Sequence, residues 1–316
     1  MFNLSKQTVP AYGGQAVVEG VMFSGRRYTV TAIRRKDNTI EYYEELKHEK
    51  PWVKKLQKVP FIRGIVALIL ASANGSKHLN FSTERYDMVP GEEEKSESAS
   101  SKLAMILGVA VIGVLSFLFG KLIFTIVPAI LADVLFQKIT NNVLQNIIEG
   151  TIKIVLLLTY ILVIARTPMI KRLFQYHGAE HKVINAYEAG VDLTVKNVQQ
   201  FSTLHYRCGS SFIMFTILVG VVIYSFFHYD SLWERIYQRI LLLPVVIGVS
   251  YETLQVTNKL RDIPVLHMLG YPGLWLQKLT TREPDDKQVE VAIASFMRMR
   301  ELDEASNPST TTVSIS

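Results

Sequence analysis

The chain is short of cysteine. Among its 316 residues there is one, Cys208, so no intrachain disulfide can form. It also lacks an apolar run near its start: the first begins near residue 103, behind a long polar segment, which predicts no N-terminal signal peptide. It has no aromatic-basic stretch of the kind that binds nucleic acid, so the net charge of +6 does not point to a nucleic-acid partner. No internal repeat accompanies its apolar segments, which argues against a secondary transporter.

What it has in excess is apolar residues, gathered into runs. They make up 49% of the chain, and the mean hydropathy is +0.20. From Leu103 to Ala132 the only charge is Lys121, and Gly209 to Phe227 has none. Each run reaches the roughly 20 apolar residues that cross a hydrocarbon core, and a soluble core helix rarely runs so long without a polar face. Spans are therefore expected at about 103–132, 143–166 and 209–228, with a weaker fourth at about 236–257 that contains Pro244. Glu149 and Lys153 fall inside the second, at a spacing that either lets the two neutralise each other or turns Glu149 into the bundle.

Lysine and arginine orient these spans. Residues 1–102 hold sixteen and 166–207 hold six, whereas the turn at 136–142 holds only Lys138. The positive-inside rule then puts both termini and the 166–207 loop in the cytosol. The expected fold is a mainly α membrane protein of about four transmembrane helices, with a small β-containing N-terminal cytosolic module and a cytosolic loop that carries metal-type motifs.

The expected organisation runs as follows. Residues 1–58 form the N-terminal module: Tyr28–Ile33 and Thr39–Tyr43 read as a hairpin about a turn at Lys36-Asp37-Asn38. Ahead of it, Gly13-Gly14 and Glu19-Gly20 suit tight turns. Residues 59–82 are too short in apolar core to span, and read as an interfacial or re-entrant helix. The segment 83–102, with Glu92-Glu93-Glu94, reads as a flexible acidic linker. The transmembrane bundle covers 103–257 with its cytosolic loop at 167–208. An amphipathic cytosolic region covers 258–304, with Gln288–Ile293 as a surface helix, and 305–316 reads as a disordered tail.

The chemistry concentrates in the loop. Tyr176-His177-Gly178-Ala179-Glu180-His181-Lys182 has the H-x-x-E-H form. On a helix, His177, Glu180 and His181 project from one face; two imidazoles so spaced can grip a zinc, and the glutamate can act as general base on water. His205-Tyr206-Arg207-Cys208 then offers a second imidazole–sulfur pair, and a thiolate favours zinc. The four candidate ligands are His177, His181, His205 and Cys208, and Glu180 is the candidate catalytic base. A site using all four would be structural, with Glu180 orienting an imidazole; a site using three would leave a position for water. Cys208 has two competing readings, a small core residue at the mouth of the third span or a nucleophile paired with a histidine. Glu19, Glu149 and Glu252 are further candidates, and Glu252, Glu283 and Glu290 are as well accounted for by capping or solvation.

With these residues laid out, the chain resembles the bacterial DUF1385 family over nearly its whole length, apart from the linker and the tail. The resemblance rests on Gly13-Gly-Gln-Ala-Val-Val-Glu-Gly-Val-Met22, Tyr176-His-Gly-Ala-Glu-His-Lys182, His205-Tyr-Arg-Cys-Gly-Ser-Ser-Phe212 and Trp275-Leu-Gln-Lys-Leu-Thr-Thr-Arg-Glu-Pro284. Where the family pattern reads HPRCGTSF, this chain has Tyr206 and Ser210, and neither change touches a candidate ligand. The resemblance implies a multi-pass protein of the bacterial plasma membrane, described as a metal-dependent enzyme. The expected function is a zinc-dependent hydrolase at the cytosolic membrane face, acting on a membrane peptide or a lipid. The alternative is a membrane scaffold or assembly factor whose metal is structural and whose partners dock on the N-terminal and C-terminal cytosolic regions.

Overall fold

The computed structural model of the protein describes residues 12–47, 50–86, 120 and 123–306. Most of the acidic segment, the first part of the 103–132 run and most of the C-terminal tail lie outside the described residues. The structure opens with four strands, β1 (Gly13–Val17), β2 (Gly20–Ser24), β3 (Tyr28–Arg34) and β4 (Ile40–Leu46), which form one antiparallel sheet in sequence order. The β3–β4 hairpin turns through Asn38 at φ 68°, and the Asp37 carboxylate accepts the Thr39 N–H at 3.0 Å. The Gly13–Met22 segment, expected as tight turns, is instead two paired strands, with Val17 opposite Gly20 across a turn in which Glu19 has φ 52°. The glycines serve close approach within strands rather than turns: a Cβ on Gly14 or Gly20 would collide with the carbonyl oxygen of Met22 or Ala32.

The sheet is covered on both faces, and strand alternation decides which residue meets which cover. Val21, Phe23, Val30 and Ala32 face a core completed by helices α5 (Pro168–Glu188) and α11 (Asp286–Ala305), with Ala179, Val183, Ala292 and Phe296 buried there. Val17, Met22 and Ile33 point the other way, toward Phe81 of α2 (Ile62–Tyr86). The 288–293 segment is thus no surface helix: Val289, Val291 and Ala292 are fully buried, because the sheet's apolar face needs a cover. α11 begins in a capping box between Asp285 and Gln288, which satisfies its first N–H groups.

The remaining helices are α1 (Pro51–Leu56), α3 (Ile123–Leu135), α4 (Asn142–Ile164), α6 (Val195–Val198), α7 (Gly209–Tyr224), α8 (Leu232–Leu241), α9 (Leu243–Lys259) and α10 (Tyr271–Thr280). Among the described residues α4 is long and apolar enough to cross a membrane: it has 23 residues, and an 18-residue stretch has mean hydropathy 2.2. At about 1.5 Å per residue it matches a hydrocarbon core of about 30 Å. α8 and α9 pass the same test together but are bent by 53° at their junction, and α3 and α7 are shorter apolar helices. α5 follows the C-terminal end of α4, where Arg282 donates to the Ala165 carbonyl at 3.3 Å, and the sheet packs on α5 and α11. α8 packs at the N-terminal end of α4, where Arg235 and Arg239 reach Glu149.

Candidate metal centre

α5 starts within a few residues of the end of α4, with Pro168 in its first turn, where a missing N–H costs nothing. Its periodicity places His177, Glu180 and His181 on one face, which meets Thr280 at the end of α10, Cys208, Thr203 in the loop ahead of α7 and Gly14 of β1. Cys208 is the N-cap of α7: its sulfur accepts the Ser210 N–H at 3.4 Å and lies 3.1 Å from Ser210 Oγ. The chain folds back so that His177 Nε2 is 3.2 Å from Cys208 Sγ. Donor atoms of His177, His181 and Cys208 all lie within 4.8 Å of one another.

The two rings are held in one tautomer. His177 Nδ1 lies 2.8 Å from the Thr280 carbonyl, and His181 Nδ1 lies 2.5 Å from the Thr203 carbonyl. A carbonyl oxygen can only accept, so both Nδ1 atoms carry a proton, and in the neutral ring each Nε2 presents a lone pair. These lone pairs converge with the cysteine sulfur in a buried space. A single thiol hydrogen can satisfy one nitrogen, whereas a cation satisfies all three donors. Backbone carbonyls that orient metal-ligating imidazoles in this way are the usual outer support of a zinc site.

Gly178 makes the first of these contacts possible. A methyl group there would overlap the Arg282 carbonyl oxygen, so only glycine lets the Thr280–Arg282 backbone lie against α5. The approach is fixed by the Arg282 N–H, which donates to the Phe174 carbonyl at 2.9 Å.

Glu180 is buried beside the three donors. Burial raises its pKa, opposed by the neighbouring His177 and His205 and by the Gly14 N–H that it accepts. Gly14 meets Glu180 at close range: a Cβ on Gly14 would lie 3.0 Å from the Glu180 carboxyl carbon. The first strand is thereby tied to the centre, a role that the sequence reading of Gly13-Gly14 as a turn did not contain. His181 is pushed down by burial, and His205 is pushed down to about 4 by burial.

His205 stands just outside the three-donor group. Its ring lies 5.7 Å from that of His181, and its buried Nε2 has no hydrogen-bond partner. Glu188 lies 3.8 Å from that nitrogen and also pairs with Arg207 and Arg261. Buried Gln277 holds the His205 backbone at both ends, accepting its N–H at 2.9 Å and donating to its carbonyl at 2.8 Å, and also donates to Ser211 Oγ at 2.7 Å. Gln277, Thr203, Thr280 and Gly14 act through backbone groups or behind the ligands, so no residue-type pattern announces them.

The other candidates lie elsewhere. Glu19 accepts from Arg172 and from the Tyr176 hydroxyl, which ties the β1–β2 turn to the first half of α5. Glu149 accepts from Arg235 Nε at 2.8 Å and Arg239 Nε at 3.1 Å. Glu252 accepts from Arg63 Nε at 2.8 Å and the Phe61 N–H at 3.0 Å. Glu283 pairs with Lys182 and Glu290 with Arg34.

The family model described as "Protein of unknown function (DUF1385)" matches residues 59–302. The "Uncharacterized protein YqhQ" of Bacillus subtilis (strain 168) is 57% identical over 304 residues, covering 95% of this chain and 96% of that protein. No solved structure matches the chain at a significant level. A family model spanning most of the chain, together with a relative alike from end to end, shows that the chain belongs to the DUF1385 family.

Proposed function

We propose that this protein is a zinc-holding integral membrane protein that hydrolyses a membrane peptide or a lipid at the cytosolic membrane face. The observation that carries the reading is the convergence of His177 Nε2, His181 Nε2 and Cys208 Sγ, with both imidazoles held as Nδ1–H by backbone carbonyls. Three protein ligands of the imidazole and thiolate type leave a zinc one further position open, as in catalytic sites. A zinc held there supplies Lewis acidity to an ester or amide carbonyl and makes water more acidic. Glu180 then accepts the proton of the attacking water and passes it to the leaving alcohol or amine, so the acyl–oxygen or acyl–nitrogen bond breaks as the water oxygen bonds to carbon. Its raised pKa, from burial, suits a base that must also give the proton back. His205, with its free Nε2, is the candidate fourth ligand or a hydrogen-bond partner of the substrate.

The multi-pass topology with both termini in the cytosol and residence in the bacterial plasma membrane belong to the same proposal. The lysine and arginine counts favour it, as does the exposure of Val155, Tyr160, Leu162 and Val163 on α4. With the C-terminal end of α4 in the cytosol, as those counts favour, α5 and the metal centre would lie on the cytosolic side.

One observation favours the scaffold reading. The three donors are tied to α5, α7 and the end of α10, so a metal there would also lock the sheet domain to the apolar helices. The readings separate in protein purified in mild detergent without chelator. Wild type is expected to carry about one zinc per chain, lost in His181→Ala and Cys208→Ser. Under the hydrolase reading Glu180→Gln keeps metal and fold and abolishes turnover. Under the scaffold reading Glu180→Gln is mild and Cys208→Ser unfolds the protein. A wild-type protein without metal would sink both.

A further inference from the structure

α8 is built inside out relative to a helix on a water-soluble surface. Trp233, Tyr237, Ile240 and Leu241 share one face at i, i+4, i+7 and i+8 spacing, and they are 79%, 63%, 60% and 60% exposed. Arg235 and Arg239 sit on the opposite face and are 0% and 2% exposed. In water the energetic preference is the reverse, since burying a guanidinium is costly and exposing tryptophan and leucine wastes apolar surface.

The buried face is held by groups of the protein. Arg235 and Arg239 both bond to Glu149, Arg235 also reaches the Gln145 carbonyl at 3.3 Å, and Arg239 also donates to Asn146. The guanidinium of Arg239 lies 4.1 Å from the Tyr224 ring centre, and that of Arg235 lies 4.9 Å from that of Tyr229. These contacts hold α8 against the N-terminal turns of α4 in a single rotation, with its apolar face outward. Val143, Leu144 and Ile147 on α4, Val245 on α9 and Phe226 just after α7 are exposed as well.

We infer that α8 lies in the headgroup–acyl boundary of a phospholipid bilayer, on the side opposite the metal centre, with Trp233, Tyr237 and Leu241 in the lipid. Its 10 residues span only about 15 Å, and the 53° bend separates it from the line of α9, so it does not begin a straight span. Exposed Trp233 and Tyr237 are of the residue types that gather where chains leave the hydrocarbon. The arginines serve from inside, as the charged face of an interfacial helix would otherwise serve from the headgroups. This inference rests on the membrane part of the proposed function and is independent of the metal.

Trp233 is one of three tryptophans, so its fluorescence is isolated by subtracting Trp233→Phe from wild type. The full chain is reconstituted into phosphatidylcholine vesicles whose acyl chains carry bromine either near the headgroup or near the chain end. Quenching of the Trp233 signal several-fold stronger by the shallow bromine is the expected result. Equal or stronger quenching by the deep bromine would overturn it in favour of a span. Quenching by neither bromine would overturn it in favour of water or a second copy of the chain over this face. If Trp233→Phe does not fold, Trp52→Phe/Trp275→Phe leaves Trp233 as the sole tryptophan and gives the same reading. Failure of the wild-type protein to float with vesicles would instead overturn the membrane reading itself, while its zinc content is measured separately.

Discussion

His177 Nε2 lies 3.2 Å from Cys208 Sγ, across 31 residues of chain and between the middle of one helix and the cap of another. Two electron-rich atoms are brought together here while a carbonyl occupies the imidazole's only proton. A thiol hydrogen can bridge these two atoms but leaves His181 Nε2 without a donor, and the pairing depends on how closely the Thr280–Arg282 backbone rides on α5.

Gly178 controls that distance. Gly178→Ala is expected to push the Thr280 carbonyl away from His177, lowering stability by about 1–3 kcal/mol by overpacking and weakening zinc affinity by about 10- to 100-fold through the lost orienting bond. Chelator competition and thermal unfolding in detergent measure the two effects. An alanine variant with unchanged zinc affinity would remove the orienting role of Thr280.

Gly14→Ala tests the tie between the first strand and Glu180. The added methyl meets both the Met22 carbonyl and the Glu180 side chain, so Glu180 must shift. The expected outcome is retained metal with at least a tenfold fall in hydrolysis, about 1.4 kcal/mol at the transition state. Undiminished turnover would show that the position of Glu180 is not critical.

At the far end of α4, Glu149→Gln leaves Arg235 and Arg239 buried without their carboxylate. Breaking a buried ion pair from one side costs about 3–5 kcal/mol, so a large fall in the unfolding temperature is expected. Zinc content should not change, because Glu149 is separated from the end of α4 by 15 residues, about 22 Å of helix. Parallel loss of metal would mean that the two ends of the bundle are coupled.

Buried His78 makes stability depend on pH. Its Nδ1 lies 2.7 Å from Thr31 Oγ1, its ring packs on Tyr43, and its environment includes Glu45 and Lys77. Desolvation outweighs Glu45 and holds its pKa below the ordinary value. The unfolded chain therefore binds the proton first, near pH ~6.5. The His78 contribution is full above that pH and is lost as pH falls toward the depressed folded value. In His78→Gln, the loss of stability between neutral and mildly acidic pH should be shallower than in wild type, as read from unfolding midpoints across that range. An identical slope would assign the acid sensitivity to other groups.

Local patterns in the sequence already specify much of this molecule. The i, i+3, i+4 spacing of His177, Glu180 and His181 puts them on one helix face whatever surrounds it, and the β-branched residues of Tyr28–Arg34 make a strand beside a turn at Asp37-Asn38. The apolar run of α4 is legible because length and hydropathy are properties of a contiguous segment. Tertiary structure decided what depends on approach between distant segments. It set the sheet's two covers, which make Val289–Phe296 a core helix, and the use of Gly14 and Gly178 for backbone contact with α5. It also set the partners of Glu149, since Lys153 is a neighbour in sequence while Arg235 and Arg239 are neighbours only after folding. Side-chain spacing along one helix is dictated by covalent geometry, but a carbonyl that orients an imidazole, or an arginine that turns inward on a helix whose tryptophan is exposed, is chosen by packing between segments that the sequence keeps far apart.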